Sequence, residues 1–240
     1  MNDTLILIPT YNNAGTIGNV VERALATGLP VMVVDDGSTD NTSGILQEMK
    51  SSAGSIPAII RHATNQGKGR ALKTGLEAAR KQGYSYVITL DADGQHFPED
   101  VPLLLQEKGP RTLVVGSRSR MGADGGSAFA NRFSNFWFRL YTWRNLPDTQ
   151  TGYRLYPLND LPGLWLLSAR YEAELTLLVF SVWKGLSLKS VPVRVAYPED
   201  RVSHFRPFWD FTRISILNTL LLFVAILYGW PRMSLQKLFT

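Results

Sequence analysis

Two aspartates separated by one residue, Asp91 and Asp93, directly follow the apolar run Tyr86–Leu90. Two carboxylates at this spacing can both reach a hard divalent cation together with the oxygens of a diphosphate. A cation held there would neutralise charge on a departing diphosphate. Gln95 offers a further neutral oxygen, whereas His96 is expected to be a loop or packing histidine. An Asp-x-Asp pair alone is typical of a solvated turn, and it is the position of this pair at a strand end that indicates a metal site.

Two other polar segments also follow short apolar runs. Pro9–Asn12 follows Leu5–Ile8, and Asp35–Ser38 follows Val31–Val34. Ligands of parallel α/β sheets bind at the carboxyl ends of the strands, so all three polar segments should converge on one edge. One carboxylate of the second segment would contact a nucleoside base or ribose. The alternative, an ordinary Asp/Gly/Ser turn that opens a helix, stays open.

A glycine-flanked lysine, Gly67-Lys68-Gly69, precedes a predicted helix and resembles half of a phosphate loop. The full eight-residue phosphate-loop pattern is missing, so the segment does not indicate a nucleoside triphosphatase. Lys68 remains a candidate to neutralise phosphate.

The elements that must position these residues alternate along the first half of the chain. Apolar runs predict strands, and amphipathic segments predict helices. The predicted strands are 5–8 (stopped by Pro9), 31–34, 58–60, 86–90 and 113–115, and the predicted helices are 16–26 and 71–81. Strands separated by helices imply parallel pairing with helices on both faces of the sheet.

The second half is more basic and more aromatic. Gly122–Gly126 predicts a flexible loop, and Asn131–Trp143 predicts a helix in which arginines alternate with aromatic residues. Such a helix suits either a membrane interface or a core position with a basic outer face, and both interpretations stay open.

A final apolar run, Ile214–Tyr228, is shorter than the roughly 20 residues that cross a bilayer. It is expected to lie in the membrane interface, to dip partway into the bilayer or to pack as a core helix, and we favour membrane association. A membrane protein partner could also bind through residues 208–230. Potential interfacial anchors flank the run: Phe208, Trp209, Arg213, Trp230 and Arg232.

Composition limits the possible classes of protein. The 240 residues suit one domain of ordinary size, and 45% hydrophobic residues suffice for a core. The absence of cysteine excludes a disulfide scaffold, a thiolate metal site and a cysteine nucleophile. Residues 1–108 carry a net charge of −3 and residues 109–240 carry +8, which suits a cation in one half and an anionic partner in the other. The amino-terminal residues show no signal-peptide pattern, which favours the cytoplasm.

Four ordered motifs in the first half resemble the family-2 glycosyltransferases, which are inverting enzymes of the Rossmann-like GT-A fold. The motifs are Ile8–Asn12, Val33–Asp40, Asn65–Gly69 and Asp91–His96. The second half is similar to the dolichyl-phosphate mannose synthase and polyprenyl-phosphate glycosyltransferase branch. That similarity rests on Gly116–Arg118, Asn131–Ser134, Asp148–Arg154, Val191–Val193 and Arg201–His204. Asn13 stands where the family usually has Glu, and Val202–His204 replaces a Gly-Gly-Ser stretch.

The resemblance implies a role for each group of residues. Mg²⁺ or Mn²⁺ would be bound by Asp91, Asp93 and Gln95. The donor would be bound by Pro9, Tyr11, Asn13, Asp36, Lys68, Asp91, Ala92 and Asp93. An acceptor phosphate would be bound by Arg118, Arg132 and Arg201, consistent with the bidentate grip of arginine on phosphate. Glu174 is the candidate catalytic base if the acceptor is a hydroxyl, with Glu172 as the weaker choice because a charge at a helix start also suits the dipole.

The predicted protein is therefore a metal-dependent enzyme that transfers a sugar from a GDP- or UDP-sugar to a polyprenyl or dolichyl phosphate with inversion. Residues 1–206 would form the GT-A domain (1–108 for the donor, 109–206 for the acceptor), and 207–240 a membrane-associated helical tail. It would act at the cytoplasmic face of a membrane, as a peripheral or monotopic protein, without a nucleic acid partner. The alternatives are a hydroxyl acceptor on a glycan, protein or other lipid, a nucleotidyltransferase, and a non-catalytic nucleotide-binding module.

Overall fold

The structure, a computed structural model, describes residues 3–53, 58–118, 125–164, 172–196 and 207–238. Its strands are β1 (Thr4–Thr10), β2 (Val31–Asp35), β3 (Ala58–Arg61), β4 (Tyr86–Thr89), β5 (Thr112–Arg118), β6 (Arg154–Pro157) and β7 (Ser187–Val193). Its helices are α1 (Ile17–Leu25), α2 (Thr42–Ala53), α3 (Lys68–Lys81), α4 (Val101–Gln106), α5 (Gly125–Thr142), α6 (Glu172–Trp183), α7 (Pro207–Val224) and α8 (Trp230–Leu238). The strands form one sheet in the order β3-β2-β1-β4-β6-β5-β7.

Strand β1 lies in the middle of the sheet and is buried along its whole length. Because side chains alternate across a strand, Leu5 and Leu7 enter one core and Ile6 and Ile8 enter the other. Helices α1, α2 and α4 contribute to the second core, and α3, α5 and α6 to the first. This three-layer arrangement explains why the strand reads as a continuous apolar run.

Pro9 does not stop β1, contrary to the prediction. The strand continues to Thr10 and keeps its parallel register with β2, where Pro9 pairs with Val34. Strand β4 pairs with β1 only as far as Leu7. Pro9 therefore lies where β1 has a strand partner on one side only, a position at which a missing N–H is tolerated.

The sheet is mostly parallel, as predicted, and one strand departs from the parallel pairing. Strand β6, which no apolar run had indicated, runs antiparallel to both β4 and β5 and separates them. All four of its residues are buried, including Arg154. A strand this short that begins with a buried arginine lacks the apolar pattern from which strands are predicted.

The carboxyl-terminal helices pack on the core formed with α5 and α6. Leu221, Ala225 and Met233 are buried there. The hydroxyl of Tyr141 donates to the carbonyl of Asn218 at 2.9 Å. One turn of π-helix, Ala225–Gly229, links α7 to α8. No described helix is both long enough and apolar enough to cross a membrane.

The predicted loop at Gly122–Gly126 lies mostly outside the described residues, and α5 already begins at Gly125. The helix predicted over Asn131–Trp143 is confirmed as the later part of α5. One side of it lies in the core, because Phe138 and Tyr141 are buried, whereas Phe136 is 60% exposed. Its place at a membrane interface stays a prediction. The domain boundary at residue 206 stays a prediction.

Candidate active site

The three polar segments meet at the carboxyl edge of the sheet, as expected. The backbone N–H of Asn12 donates to Ser38 Oγ at 3.0 Å, which joins the first segment to the second. The hydroxyl of Thr16 donates to the carbonyl of Ala92 at 2.6 Å, which joins the first segment to the Asp91–Asp93 loop. The ends of β1, β2 and β4 therefore form the floor of one cleft.

Asp36 is buried, and its carboxylate is hydrogen-bonded to other groups of the chain. It accepts hydrogen bonds from the backbone N–H groups of Gln66 (3.0 Å) and Gly67 (2.7 Å). His62 Nδ1 donates to it at 2.6 Å. In the structure Asp36 thus holds the segment that leads into α3. Gly37 has a positive φ of 73°, and an added Cβ would lie 2.5 Å from the Thr64 carbonyl carbon, so glycine is required.

Lys68 lies between two carboxylates at the centre of the cleft. Its Nζ is 2.7 Å from Asp91 Oδ1 and 3.0 Å from Glu174 Oε2. The three side chains are 10–23% exposed, so they are largely desolvated yet open to a ligand. The amino terminus of α3, the end of β4 and the first turn of α6 each supply one of them.

The ionisation of this cluster follows from burial and neighbouring charge. Burial opposes the charged form of Asp91, but Lys68 outweighs it, with help from His96, and holds the pKa of Asp91 below its ordinary value. Burial likewise opposes the ammonium of Lys68, and Asp91 and Glu174 together raise its pKa. Desolvation in the cleft and the charge of Asp91 raise the pKa of Asp93. The cleft therefore disfavours a second negative charge at Asp93, which an added cation would stabilise.

A glycine lets a second loop approach Asp91 closely. A Cβ at Gly152 would lie 2.6 Å from Asp91 Oδ2, so no larger residue fits without displacing the carboxylate. Arg154, two residues later, is fully buried and donates to the carbonyls of Thr149 (2.8 Å) and Glu174 (2.7 Å). This arginine ties the loop and the first turn of α6 together beneath the cleft.

Arg118, at the end of β5, is held by Asp148 of the same loop. Its Nε donates to Asp148 Oδ2 at 2.5 Å, and its Nη2 donates to Oδ1 at 3.0 Å. Burial opposes ionisation of Asp148, but Arg118 holds the pKa of this carboxyl below its ordinary value. Asn131 and Asn135 of α5 both donate to the carbonyl of Pro147, so the middle of α5 packs against this loop.

Residues 5–160 match the family model described as "Glycosyl transferase family 2". The chain belongs to glycosyltransferase family 2. It is accordingly a glycosyltransferase, and the resemblance seen in its four motifs is confirmed.

Two relatives within the wider set of similar proteins carry informative names. The UDP-N-acetylglucosamine–dolichyl-phosphate N-acetylglucosaminyltransferase of Methanococcus voltae is 30% identical over 222 residues, covering 83% of this chain and 88% of the relative. The polyprenol monophosphomannose synthase of Mycolicibacterium smegmatis is 28% identical over 214 residues, covering 83% and 80%. Both similarities extend well into the second half of the chain.

A solved structure is similar at the level of the fold. Glucosyl-3-phosphoglycerate synthase of Mycobacterium tuberculosis, in complex with Mn²⁺, UDP and glucosyl-3-phosphoglycerate, superposes with a TM-score of 0.65 at 19% identity. The match covers 92% of this chain and 79% of the other. The predicted GT-A fold, a mostly parallel sheet flanked by helices, is confirmed.

The oxygen atoms of this family-2 cleft suit a divalent ion that also binds phosphate. Asp93 accepts a hydrogen bond from the backbone N–H of Gln95 at 3.0 Å, which fixes the loop that carries both aspartates. No cluster of three or more His, Cys, Asp or Glu suited to a metal occurs among the described residues. Mg²⁺ is commonly held by one or two carboxylates and completed by substrate phosphates and water, so Asp91 and Asp93 fit such an ion.

The remaining predicted site residues are placed as follows. Pro9 is buried in β1, Tyr11 and Ala92 lie on the loops at the strand ends, and the Asn13 amide donates to Thr10 Oγ1 at 3.1 Å. Arg132 is exposed on α5, next to Asn131. Arg201 and the Glu172 side chain lie outside the described residues. His96 is buried beside Tyr153, with 5.3 Å between the ring centroids.

Several residues that build the cleft were not assigned roles from sequence. They are His62, Asp148, Gly152 and Arg154. Asp148, Gly152 and Arg154 lie in the stretch Asp148–Arg154 that carries the family resemblance. The sequence therefore indicated the stretch but not the role of each residue in it. His62 carries no local signal, because its partner Asp36 is 26 residues away.

Proposed function

We propose that this family-2 enzyme transfers a sugar, with inversion, from a nucleotide-sugar donor to a polyprenyl or dolichyl phosphate. The acceptor oxygen would attack the anomeric carbon as the bond to the nucleoside diphosphate breaks. A bound Mg²⁺ or Mn²⁺ would supply charge neutralisation on the leaving diphosphate. The similar proteins from Methanococcus voltae and Mycolicibacterium smegmatis, whose names contain dolichyl-phosphate and polyprenol monophosphomannose, support this acceptor class.

The observation that carries the proposal is the pairing of Glu174, the candidate base, with Lys68. A hydroxyl acceptor needs a group that takes its proton. The Glu174 carboxylate is instead committed to an ammonium 3.0 Å away. A phosphate acceptor is already anionic near neutral pH and loses no proton in the displacement, so this arrangement favours phosphate.

On the donor side, the residues of the chain bind and orient the nucleotide sugar. Asp91 and Asp93 would hold the ion and the diphosphate, with Gln95 as the expected third ligand. Asp36 would act on the nucleoside through the loop that it fixes, Gln66–Gly67. The rate enhancement would come mainly from positioning and electrostatic stabilisation of the leaving group.

On the acceptor side, Arg118 and Arg132 are the described candidates for the lipid phosphate, and Arg201 is expected to join them. The Asp148–Arg154 segment contacts Arg118 at one end and Asp91 near the other, through Gly152. It therefore connects the acceptor arginine to the donor site. Direct displacement requires the two substrates to be adjacent in this way.

We further propose that the outer face of α5, α7 and α8 lies on a membrane surface. Large apolar side chains are exposed there: Phe136, Trp143, Ile216, Leu220, Phe223, Ile226, Leu227, Tyr228 and Leu235. Exposed arginines accompany them: Arg132 and Arg139 on α5, Arg144 just after α5, and Arg232 on α8. Apolar side chains interspersed with basic ones suit the boundary between headgroups and acyl chains. The cytoplasmic side of the membrane remains a prediction.

The test is a panel of UDP- and GDP-sugars with Mn²⁺ and polyprenyl phosphate, in which labelled sugar is measured in the lipid extract. Unphosphorylated polyprenol is the matched acceptor control. We expect label in the lipid only with the phosphate, release of a nucleoside diphosphate, and loss of transfer in Asp91→Asn. Transfer to the free alcohol, or release of pyrophosphate, would overturn the proposal.

A further inference from the structure

Lys68 contacts Oδ1 of Asp91, a carboxylate that would also hold the divalent ion. We propose that Lys68 is an exchangeable counter-ion: it competes with the divalent ion for Asp91 and moves to the diphosphate of the donor once the ion is bound. Glu174 is the positioning residue that keeps Lys68 in the cleft during this exchange. The inference rests on the proposed function, since it assumes a metal and a diphosphate at this site.

The geometry around the ammonium allows such an exchange. Its two partners lie in different places, because Asp91 belongs to the Asp-x-Asp loop that follows β4, whereas Glu174 lies on α6. An ion bound by Asp91 and Asp93 would repel Lys68 from Asp91 Oδ1 but leave the contact with Glu174 available. The lysine would therefore be displaced by a short distance rather than expelled.

The side chain of Lys68 can move while its backbone stays fixed. The residue before it, Gly67, is anchored by the hydrogen bond from its N–H to Asp36 at 2.7 Å. Lys68 then begins α3, so its main chain is held by the helix. Lysine carries its charge on a flexible four-carbon stem, which suits a contact that changes partner.

The balance of charge around Lys68 also favours the exchange. Two carboxylates face the ammonium directly, and fully buried Arg154 lies behind Glu174, donating to its carbonyl. Removing Lys68 alone would leave two desolvated carboxylates facing each other. Any cation that replaces Lys68 on Asp91 relieves this repulsion, whereas Glu174 still requires the lysine.

The test measures Mn²⁺ binding to the full chain by electron paramagnetic resonance, without nucleotide. The informative variant is Lys68→Met/Glu174→Gln, which removes both charges and keeps the net charge of the cleft. Because Asp91 is then free of its competitor, we expect Mn²⁺ to bind about 10-fold more tightly than to the wild type. At saturating Mn²⁺, affinity for UDP or GDP should fall about 10-fold, because the diphosphate loses a cationic partner.

The matched control is Lys73→Met/Glu77→Gln, which removes a lysine–glutamate pair from the same helix. That pair joins Nζ to Oε1 at 3.8 Å, and its members are four positions apart on the helix. Neither Mn²⁺ nor nucleotide affinity should change in it. The single substitution Glu174→Gln should weaken the binding of both Mn²⁺ and the nucleotide, because Lys68 then stays paired with Asp91 and has lost its second partner.

Unchanged or weaker Mn²⁺ binding by the Lys68→Met/Glu174→Gln variant would overturn the inference, because Lys68 would then not compete for Asp91. The exchange of Lys68 and the proposed phosphate acceptor can be refuted independently of each other. Wild-type transfer to polyprenyl phosphate together with unchanged Mn²⁺ affinity in the variant removes only the exchange. Tighter Mn²⁺ binding in the variant, with no wild-type transfer to lipid phosphate, removes only the proposed acceptor.

Discussion

Arg118 and Asp148 form a two-point hydrogen-bonded pair, with contacts of 2.5 and 3.0 Å, between the end of β5 and the loop that precedes β6. Asp148 is 1% exposed and also accepts hydrogen bonds from the backbone N–H groups of Gln150 and Thr151. The arginine proposed to bind the acceptor phosphate thus also stabilises the loop that reaches Asp91. A substitution of Arg118 should affect two properties, and a second substitution can separate them.

Arg118→Met should lower both stability and transfer. Loss of one partner leaves the buried Asp148 charge uncompensated, at a cost of about 3 kcal/mol. In the double variant Arg118→Met/Asp148→Asn the stability should largely recover. Transfer to lipid phosphate should stay about 10- to 100-fold below the wild type, because the charge-assisted contact with the phosphate is missing. Thermal unfolding and the transfer assay measure the two effects. Full recovery of transfer in the double variant would show that Arg118 acts only on the loop.

Gly152→Ala should weaken metal-dependent binding of a nucleoside diphosphate. The added Cβ would lie 2.6 Å from Asp91 Oδ2, so the carboxylate or the loop must shift. We expect at least a 10-fold loss of affinity by titration calorimetry and a destabilisation of about 1–3 kcal/mol from overpacking.

Gly18→Ala is the control for that substitution. It lies in α1, where an added Cβ would meet Ile45 Cγ2 at an ordinary 3.6 Å. Alanine at this helical position should keep wild-type binding and raise stability by up to about 1 kcal/mol. Equal binding by Gly152→Ala and the wild type would mean that the position of Asp91 relative to the loop is unimportant.

The donor side of the cleft was largely predictable because its information is local. An apolar run followed directly by Asp91, or by Asp35, marks a strand end, and parallel strands bring such ends together. Pro9 was misjudged because whether a proline ends a strand depends on neighbouring strands. Its tolerance in β1 follows from the end of the β4 pairing at Leu7.

The remaining features depend on residues that are distant in sequence. Lys68 and Glu174 are 106 residues apart, and nothing near either one indicates the other. Strand β6 owes its place to pairing with β4 and β5 and to the buried hydrogen bonds of Arg154 rather than to an apolar pattern. Contacts of this kind follow from topology, which the pattern of short segments does not specify.

Glu99 should contribute stability that depends on pH. Its hydrogen bonds from Arg23, at 2.7 and 2.8 Å, lower its pKa to about 2. A lowered pKa in the folded state means that the contribution is fully present above the ordinary value of about 4.5 and is lost as pH falls towards 2. Since the Glu99 side chain is 48% exposed, it amounts to at most about 1 kcal/mol.

The measurement is the free energy of urea unfolding of Glu99→Gln and the wild type, at neutral pH and at about pH 3. The difference between the two should shrink at the lower pH. Glu107→Gln, which breaks the exposed 2.7 Å pair with Lys189, controls for the loss of an unrelated surface ion pair. A difference for Glu99→Gln that stays constant or grows on acidification contradicts the assignment.

The proposed membrane face predicts a loss of vesicle binding without a loss of stability. Leu220, Phe223 and Leu227 are 57%, 60% and 79% exposed, and their spacing places them on one stripe of the helical tail, opposite buried Leu221 and Ala225. Burial of each of these apolar side chains in the lipid would contribute about 1.5–3 kcal/mol to the free energy of membrane binding. The triple substitution to Ser should therefore reduce co-sedimentation with phosphatidylcholine–phosphatidylglycerol vesicles more than 100-fold.

Because these side chains contribute little to the core, the melting temperature of the triple variant should match that of the wild type. Leu103→Ser removes a side chain that is 37% exposed on α4, on the opposite layer of the fold, and should leave vesicle binding intact. Wild-type vesicle binding by the triple variant would exclude this face as the membrane surface. If vesicle binding is lost, the variant should still transfer sugar to a detergent-dispersed polyprenyl phosphate, because the cleft lies at the carboxyl edge of the sheet and none of the substituted side chains contributes to it.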